Sequence, residues 1–168
     1  LSKGWQPFWR AAEETGAEHG TSGGTAIFVR VGIGADTAKG LIAPDARVCA
    51  AYVDIPGGER TLVASSYLQC AVGFNDVTTE LLQRIADATS EWSGPYIIGA
   101  AWNNTPEELG ALGLAGKLGA SIIAPLAPRG TCTSAEGGRL IDFFVVRDDL
   151  CRGLADACVN YCSGLAPH

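Results

Sequence analysis

Three polar residues stand at the ends of apolar runs, and α/β proteins usually keep their chemistry at such strand ends. These residues are Tyr67 in ASSYLQ, Asn103 in GAAWNN and Asp142 in LIDFF, and the last residue, His168, is a fourth candidate. Asp142 is the most informative, because a carboxylate among apolar neighbours is costly to bury unless it is paired. An imidazole would be its natural partner, since the carboxylate could orient the ring and stabilise its cation. The alternative is an Asp at a strand edge that faces water.

The stretch 95–109, PYIIGAAWNNTPEEL, is the element best suited to position such groups. An apolar run bounded by Gly and Pro predicts a buried strand that enters a small-residue corner at Gly99. We expect Thr105 to cap the following helix and Pro106 to be its first residue, with two carboxylates in the first turn. A strand of this kind ends at the carboxyl edge of a sheet, which is where function is expected.

The rest of the chain supplies strands in pairs as well as strands that alternate with helices. The spacing of Trp5, Phe8 and Trp9 predicts an amphipathic helix over 5–14 with its aromatic residues in the core. Apolar periodicity and turn residues predict the other elements: strands at 25–31, 47–55, 61–68, 96–98, 121–124, 140–146 and 155–162, helices at 75–92, 105–118 and 148–154, and polar loops at 16–24 and 125–138. This pattern favours an α/β fold with a mixed sheet in one domain over 1–168.

Composition and charge exclude several classes of protein. The chain has 168 residues and a net charge of −6, and its 12 basic residues are scattered rather than gathered into a stripe. Charge therefore does not support binding to nucleic acid. No run of apolar residues is long enough for a transmembrane helix, so no transmembrane segment is predicted. Residues 1–14 do not have the apolar core of a signal peptide.

Six cysteines lie at positions 49, 70, 132, 151, 158 and 162 and contain no C-x-x-C pair. The two histidines lie near no pair of cysteines, so the spacing does not predict a zinc site. Composition favours buried free thiols, and one or more disulfides are the alternative. The compartment is left open, with an intracellular one favoured over secretion.

Several segments occur in an order that resembles one known family: GGTAIFVR, SSYL, PYIIGAAWN, APRGTC and IDFFVV. The family is the endonuclease/exonuclease/phosphatase superfamily, and the chain resembles especially its non-LTR retroelement endonuclease domains. The resemblance covers most of the chain. It implies one α/β sandwich of DNase I-like type with a mixed sheet, truncated at its amino terminus so that it lacks the first strands.

The resemblance also implies roles for the candidate residues. The G-D-x-N motif of the family falls on residues 100–103, so that Asn103 would hold a phosphate together with Tyr67. The D-Y/F motif falls on Asp142, and the terminal S-D-H motif ends at His168. Members of this family hydrolyse phosphodiesters with Mg²⁺: an Asp–His pair activates or positions water, and carboxylates hold the metal.

The chain departs from the family at the positions that matter most for this chemistry. Ala101 stands where the G-D-x-N motif has its Asp, and Pro167 stands where the S-D-H motif has its Asp. The early strands that carry the metal-binding Glu of the family are expected to be missing before Leu1. Because Mg²⁺ needs several oxygen ligands with one or two carboxylates among them, we expect no metal and no other cofactor, and Mg²⁺ only if the domain is active.

Two functions fit these observations. The losses favour a catalytically inactive domain that serves as a structural or interaction subunit of a larger assembly, with a protein partner on an uncovered sheet edge or face. The alternative is a Mg²⁺-dependent phosphodiester hydrolase of which this chain is a trimmed or substituted form. Tyr67, Asn103, Asp142 and His168 support the alternative, and nucleic acid would then be the partner.

Overall fold

The computed structural model describes residues 4–14, 20–40, 45–69, 75–127, 130–132, 138–153 and 157. Within these residues the strands form one six-stranded mixed sheet and one two-stranded antiparallel sheet. The strands are β1 Trp5–Glu14, β2 Thr21–Arg30, β3 Ala35–Thr37, β4 Val48–Asp54, β5 Arg60–Tyr67, β6 Tyr96–Ala101, β7 Ala120–Ile123 and β8 Asp142–Arg147. The helices are α1 Asp76–Glu91, α2 Pro106–Ala111, α3 Leu114–Leu118 and α4 Asp148–Cys151. The mixed α/β architecture confirms the predicted fold class.

The six-stranded sheet has the order β3-β4-β5-β6-β8-β7. Strands β4 and β5 form an antiparallel hairpin, β5 and β6 run parallel, and β8 lies antiparallel between β6 and β7. A parallel pair needs a crossover connection, and α1 provides it between β5 and β6. As a result the carboxyl ends of β5 and β6 meet the first residue of β8 at one edge of the sheet.

Helix α1 packs on one face of this sheet and forms the main core with it. The side-chain oxygen of Asn75 caps the helix by accepting a hydrogen bond from the N–H of Thr78 at 2.9 Å. Leu81, Leu82 and Ile85 follow at helical spacing and are buried against the sheet. Burial of each such side chain contributes about 1.5–3 kcal/mol, so this face is firmly covered. None of the helices in the described residues is long and apolar enough to cross a membrane.

The hairpin of β1 and β2 covers only part of the opposite face. Its inward side chains Phe8 and Val29 form a second, smaller core with Ala51 and Val53 of β4, and Val63 of β5 packs against it. The strands β6 and β8 are not part of this second core. Their side chains on this face instead line an open groove.

The prediction of a helix over 5–14 was wrong, because these residues form strand β1. Trp5, Phe8 and Trp9 satisfy a helical period, but pairing with β2 from Arg30 to Thr21 determines the structure. Phe8 is 9% exposed and lies in the core, as expected, whereas Trp5 and Trp9 are 47% and 63% exposed. Side chains alternate between the two faces of a strand, so the two tryptophans lie on the outer face of the hairpin.

Other differences from the predicted elements have local causes. The helix expected over 105–118 is divided into α2 and α3, since Gly113 adopts a left-handed conformation with φ 65° that ends a helical segment. Strand β2 begins at Thr21, so it takes up part of the predicted loop over 16–24. The strand predicted over 155–162 lies outside the described residues apart from Ala157. The remaining predicted elements in the described ranges are confirmed, with ends that differ by a few residues.

Candidate functional site

Strand register places the predicted residues in one row at the edge of the six-stranded sheet. Tyr67 of β5 pairs with Ala101 of β6, and Ala101 pairs with Asp142 of β8. Neighbouring strands lie about 4.8 Å apart, so the phenol, the methyl group and the carboxylate stand next to one another. All three residues line the groove on the face that α1 does not cover. We call Tyr67, Ala101 and Asp142 the rim row.

Arg47 lies directly before β4 and extends the rim row beside Tyr67, and the sequence alone did not identify it. The N–H of Tyr67 donates to the carbonyl oxygen of Arg47 at 2.9 Å. The guanidinium carbon of Arg47 lies 5.9 Å from the centroid of the Tyr67 ring, within the range of a cation–π interaction. The pairing of Val48 with Ser66 in the β4–β5 hairpin sets this arrangement, so the hairpin register was the signal that could have found Arg47.

Asn103 lies beyond the end of β6 in an uncommon backbone conformation. Its φ is 54°, and among the described residues it is the non-glycine residue with positive φ. Asn tolerates this left-handed region better than most residues, and its side-chain amide donates to the carbonyl oxygen of Leu68. The preceding Trp102 is fully buried, and its indole N–H donates to the carbonyl oxygen of Phe143 at 3.0 Å. Asn103 is therefore held at the groove by the corner that the sequence predicted.

The hydroxyl of Thr131 fixes the start of β8, where Asp142 lies. Its oxygen accepts hydrogen bonds from the backbone N–H groups of Ile141 and Asp142, both at 3.0 Å. Thr131 in turn donates its own N–H to the carbonyl oxygen of Arg139 at 2.9 Å. The sequence placed Thr131 only in a polar loop, since nothing in its neighbourhood shows that the loop returns to β8.

The groove beside the rim row is wide and mostly apolar. Its volume is about 1330 Å³, which exceeds the 300–1,000 Å³ typical of small-molecule sites. Among its described lining residues Asp142 is the only charged one. Its floor includes Val63, Ile97 and Phe144, and Phe144 is 41% exposed. The groove therefore resembles an uncovered face of a sheet more than an enclosed pocket.

The described residues do not fit a Mg²⁺ site. Mg²⁺ prefers octahedral oxygen ligands that include one or two carboxylates, but the methyl group of Ala101 occupies the centre of the rim row. No cluster of three or more His, Cys, Asp or Glu in the described part of the chain could hold a metal ion. Pro167 and His168 lie outside the described residues, so a pairing of Asp142 with His168 stays a prediction.

Two buried groups away from the rim row have a raised pKa. Burial raises the pKa of Tyr96 to about 12, and Tyr96 is the first residue of β6, at the opposite end from Ala101. Burial also raises the pKa of the Cys49 thiol, which lies under the β1–β2 hairpin. Cys49 is a buried free thiol and Cys151 is a half-buried one. Because Cys70, Cys158 and Cys162 lie outside the described residues, the state of the six cysteines as a set stays a prediction.

No family model and no curated protein matches the chain. Solved structures do match. The endonuclease domain of TRAS1, a telomere-specific non-LTR retrotransposon, superposes with a TM-score of 0.64 at 14% identity over 90% of this chain and 70% of its own. The human Nocturnin catalytic domain superposes with a TM-score of 0.58 at 17% identity, over 86% of this chain and 61% of its own. AP endonuclease LMAP from Leishmania major superposes with a TM-score of 0.64 at 11% identity, over 93% of this chain and 66% of its own. These likenesses establish a shared fold, and the chain spans 61–70% of the length of these neighbours.

Proposed function

We propose that this chain, whose fold is that of the endonuclease/exonuclease/phosphatase (DNase I-like) proteins, is a catalytically inactive domain that serves as an interaction subunit of a larger assembly. One observation carries the proposal: Ala101 occupies the centre of the rim row, between Tyr67 and Asp142. The two neighbours named as endonucleases share the fold that surrounds this row. The nuclease-like fold is a property of the chain, and the loss of activity is our proposal.

The missing carboxylate matters because phosphodiester hydrolysis depends on charge at this position. A divalent metal offsets several kcal/mol of the charge that develops in the transition state. A general acid or base contributes about 10²–10⁴ in rate in addition. With Ala101 in the row, Asp142 is the carboxylate that remains among the described lining residues of the groove. A single carboxylate cannot both hold the metal and act as the general acid or base, so we expect negligible cleavage.

The groove supports the second half of the proposal, an interaction role. Soluble monomers rarely expose contiguous apolar patches larger than a few hundred Å². Here the floor residues Val63, Ile97 and Phe144 line a groove that no described element covers. A protein partner that covers this face would remove its apolar surface from water.

Thermal melting with divalent ions tests the absence of a metal site. A ligand present at about 100 times its Kd stabilises the folded state by about 2.7 kcal/mol, which for a domain of this size raises Tm by roughly 5–10 °C. We expect millimolar Mg²⁺ or Mn²⁺ to leave the Tm unchanged relative to NaCl of equal ionic strength. A rise that disappears in Asp142→Asn would contradict the proposal, because it would place a real metal site at the rim row.

A repaired variant tests the same idea from the other side. Ala101→Asp combined with Pro167→Asp restores both missing acids of the family motifs. If the domain has lost more than these two groups, the double variant still does not cleave plasmid or abasic DNA with Mg²⁺. Robust cleavage by the double variant would favour the hydrolase instead, and so would cleavage by the wild-type chain.

One observation favours that second candidate function, a Mg²⁺-dependent phosphodiester hydrolase in a trimmed or substituted form. Tyr67, Asn103 and Asp142 line the same groove, as a site of this type would require. The hydrolase predicts wild-type cleavage that falls in Asn103→Ala and Asp142→Asn by the factor of about 10²–10⁴ typical of lost catalytic groups. Nucleic acid would then be the substrate.

A further inference from the structure

A crevice lies between strand β1 of the hairpin and the edge of the large sheet formed by β3 and β4. Alternate residues of a strand share one face, so Gln6, Phe8 and Arg10 all face the sheet from β1. Phe8 fills the space over Ala51 of β4. Next to this contact the two layers leave a crevice with a volume of about 340 Å³. This volume lies within the 300–1,000 Å³ typical of small-molecule sites.

Three strands contribute the polar side chains that line this crevice, which are Gln6, Arg10, Thr37 and Cys49. We call these four residues the edge cluster. The side-chain amide of Gln6 donates to the carbonyl oxygen of Ala35 at 3.3 Å, which ties β1 to β3. Thr37 pairs with Ala51, and residues paired directly across a sheet share a face. The register therefore places Thr37 on the side of β3 that faces the hairpin.

Arg10 supplies the positive charge of the edge cluster. Among the described residues that line the crevice it is the one with a charged side chain at neutral pH. Its side chain is half-buried, and none of the ion pairs between described residues includes it. A guanidinium presents its N–H donors in a planar fork that matches the geometry of a carboxylate. The unused donors of Arg10 therefore suit a planar anion.

The thiol of Cys49 forms the inner end of the crevice. The residue is 5% exposed, and its thiol donates to the carbonyl oxygen of Phe8 at 3.7 Å. Burial raises the pKa of this thiol, whereas a hydrogen bond with Thr25 and the positive charge of Arg10 act in the opposite direction. The guanidinium is thus near enough to act on a group inside the crevice. Because the thiol stays neutral at neutral pH, the edge cluster itself supplies no anion for Arg10.

We propose that the edge cluster binds a small monocarboxylate, whose oxygens accept hydrogen bonds from the guanidinium of Arg10 and the hydroxyl of Thr37. One positive charge balances one negative charge, which favours a monocarboxylate over a phosphate dianion. The apolar end of the ligand packs on Pro7 and Phe8, which also line the crevice. The crevice shares no lining residue with the groove beside the rim row. This site is therefore independent of the loss of activity proposed above.

A matched pair of small ligands tests the proposal. The probe is 4-fluorobenzoate, and the control is 4-fluorobenzamide, which has nearly the same shape without the charge. Broadening of the fluorine NMR signal on titration with the protein measures the Kd of each. We expect the wild-type chain to bind 4-fluorobenzoate at least about tenfold more tightly than the amide, since only the carboxylate forms a charge-assisted pair with Arg10.

Two arginine variants of the hairpin locate the site. Arg10→Gln should weaken binding of 4-fluorobenzoate about tenfold and leave that of the amide unchanged. Arg30→Gln is the matched control, because it removes the same charge from the outer face of the hairpin: Arg30 follows Val29, which faces the core. Arg30→Gln should leave binding of 4-fluorobenzoate within about twofold. Arg10→Lys keeps the charge without the planar fork, and its affinity should lie between those of wild type and Arg10→Gln.

Thr37→Val tests the second contact without altering any charge. Valine has nearly the shape of threonine and suits a strand, so the variant removes the hydroxyl alone. It should weaken binding of 4-fluorobenzoate by about threefold to tenfold, as expected for one lost hydrogen bond. Urea unfolding of every variant shows whether it is folded. If Arg10→Gln is not, Thr37→Val and the comparison of the two ligands decide, because both keep Arg10 in place.

Three results would overturn the proposal. The first is equal binding of 4-fluorobenzoate and 4-fluorobenzamide to the wild-type chain. The second is unchanged binding by folded Arg10→Gln or by Thr37→Val. The third is equal weakening by Arg10→Gln and Arg30→Gln, because net charge and not the crevice would then attract the anion. None of these results alters the metal and cleavage measurements, so the loss of activity is judged separately.

Discussion

Replacing Ala101 by Asp is the most direct test of the rim row. Ala101 pairs with Asp142, so the new carboxylate would stand beside the existing one. At a separation of about 5 Å and an effective dielectric constant of about 20, two unit charges repel by about 3 kcal/mol. Because the two side chains can turn apart into the open groove, we expect Ala101→Asp to lower the free energy of unfolding at pH 7 by about 1–3 kcal/mol. For a domain of this size that corresponds to a fall in Tm of roughly 2–10 °C.

The sign of the pH dependence follows from the charges. Repulsion in the folded state raises the pKa of the carboxyl pair in the variant above the unfolded value of about 4. The free energy of unfolding of Ala101→Asp should equal that of wild type below about pH 4, where both carboxyls are protonated, and should fall below it as pH rises from there. Urea unfolding of both proteins over this pH range measures the difference.

A double-mutant cycle that combines Ala101→Asp with Asp142→Asn isolates the interaction energy between the two carboxylates. We expect a coupling energy of at least about 1 kcal/mol, since contacting charges couple and distant sites are additive within about 0.5 kcal/mol. Ala100→Asp is the matched control: Ala100 is the neighbour on β6 and packs against the helix-covered core. Ala100→Asp should lower the free energy of unfolding, because its charge would be partly buried and unpaired, but it should not couple to Asp142. A coupling near zero for Ala101→Asp would refute the register from which the rim row is built.

Three further predictions concern the scaffold. Burial raises the pKa of Tyr96 from 10.0 to about 12, and its hydroxyl donates to the carbonyl oxygen of Leu118 at 2.5 Å. The wild-type protein should therefore lose stability as pH rises from 10 to about 12, since only the unfolded state ionises in this range. Tyr96→Phe should lack that loss when alkaline unfolding is monitored by circular dichroism. Gly130→Ala should lower the free energy of unfolding by about 2 kcal/mol or more in urea, because φ is 69° and a Cβ would lie 2.7 Å from backbone atoms of Arg139. Thr105→Ala removes one half of a capping box and should cost about 1 kcal/mol, whereas Thr105→Ser should restore most of it.

Local chemistry explains which parts of the fold could be predicted from the sequence. Thr105 caps α2 and Pro106 is its first residue, as expected. A helix over 75–92 was likewise predicted, and α1 spans Asp76–Glu91. Caps and turns act over three or four residues, so the sequence contains the whole interaction. The pattern of strands and helices was enough to predict an α/β fold with a mixed sheet, whereas the DNase I-like fold that the solved neighbours share was expected from the resemblance of the motifs.

Long-range pairing explains what the sequence could not predict. Residues 5–14 are compatible with a helix and with a strand, and the choice depends on β2, which begins at Thr21. The same limit applies to the site. Tyr67 and Asp142 could be proposed as rim residues because each stands at a strand end, but Arg47 joins them only through the register of the β4–β5 hairpin. Their chemical roles, and that of His168, stay predictions.

The proposed loss of catalysis and the proposed interaction role meet at Ala101. On β6, Ile97, Gly99 and Ala101 share the face that lines the groove, so an uncharged stripe runs from its floor to the rim row. A carboxylate at position 101 would place a charge under a protein that covers this face, and burying that charge without a counter-charge would cost several kcal/mol. The acid that the family motif uses for catalysis would therefore oppose the interaction role that we propose for the groove.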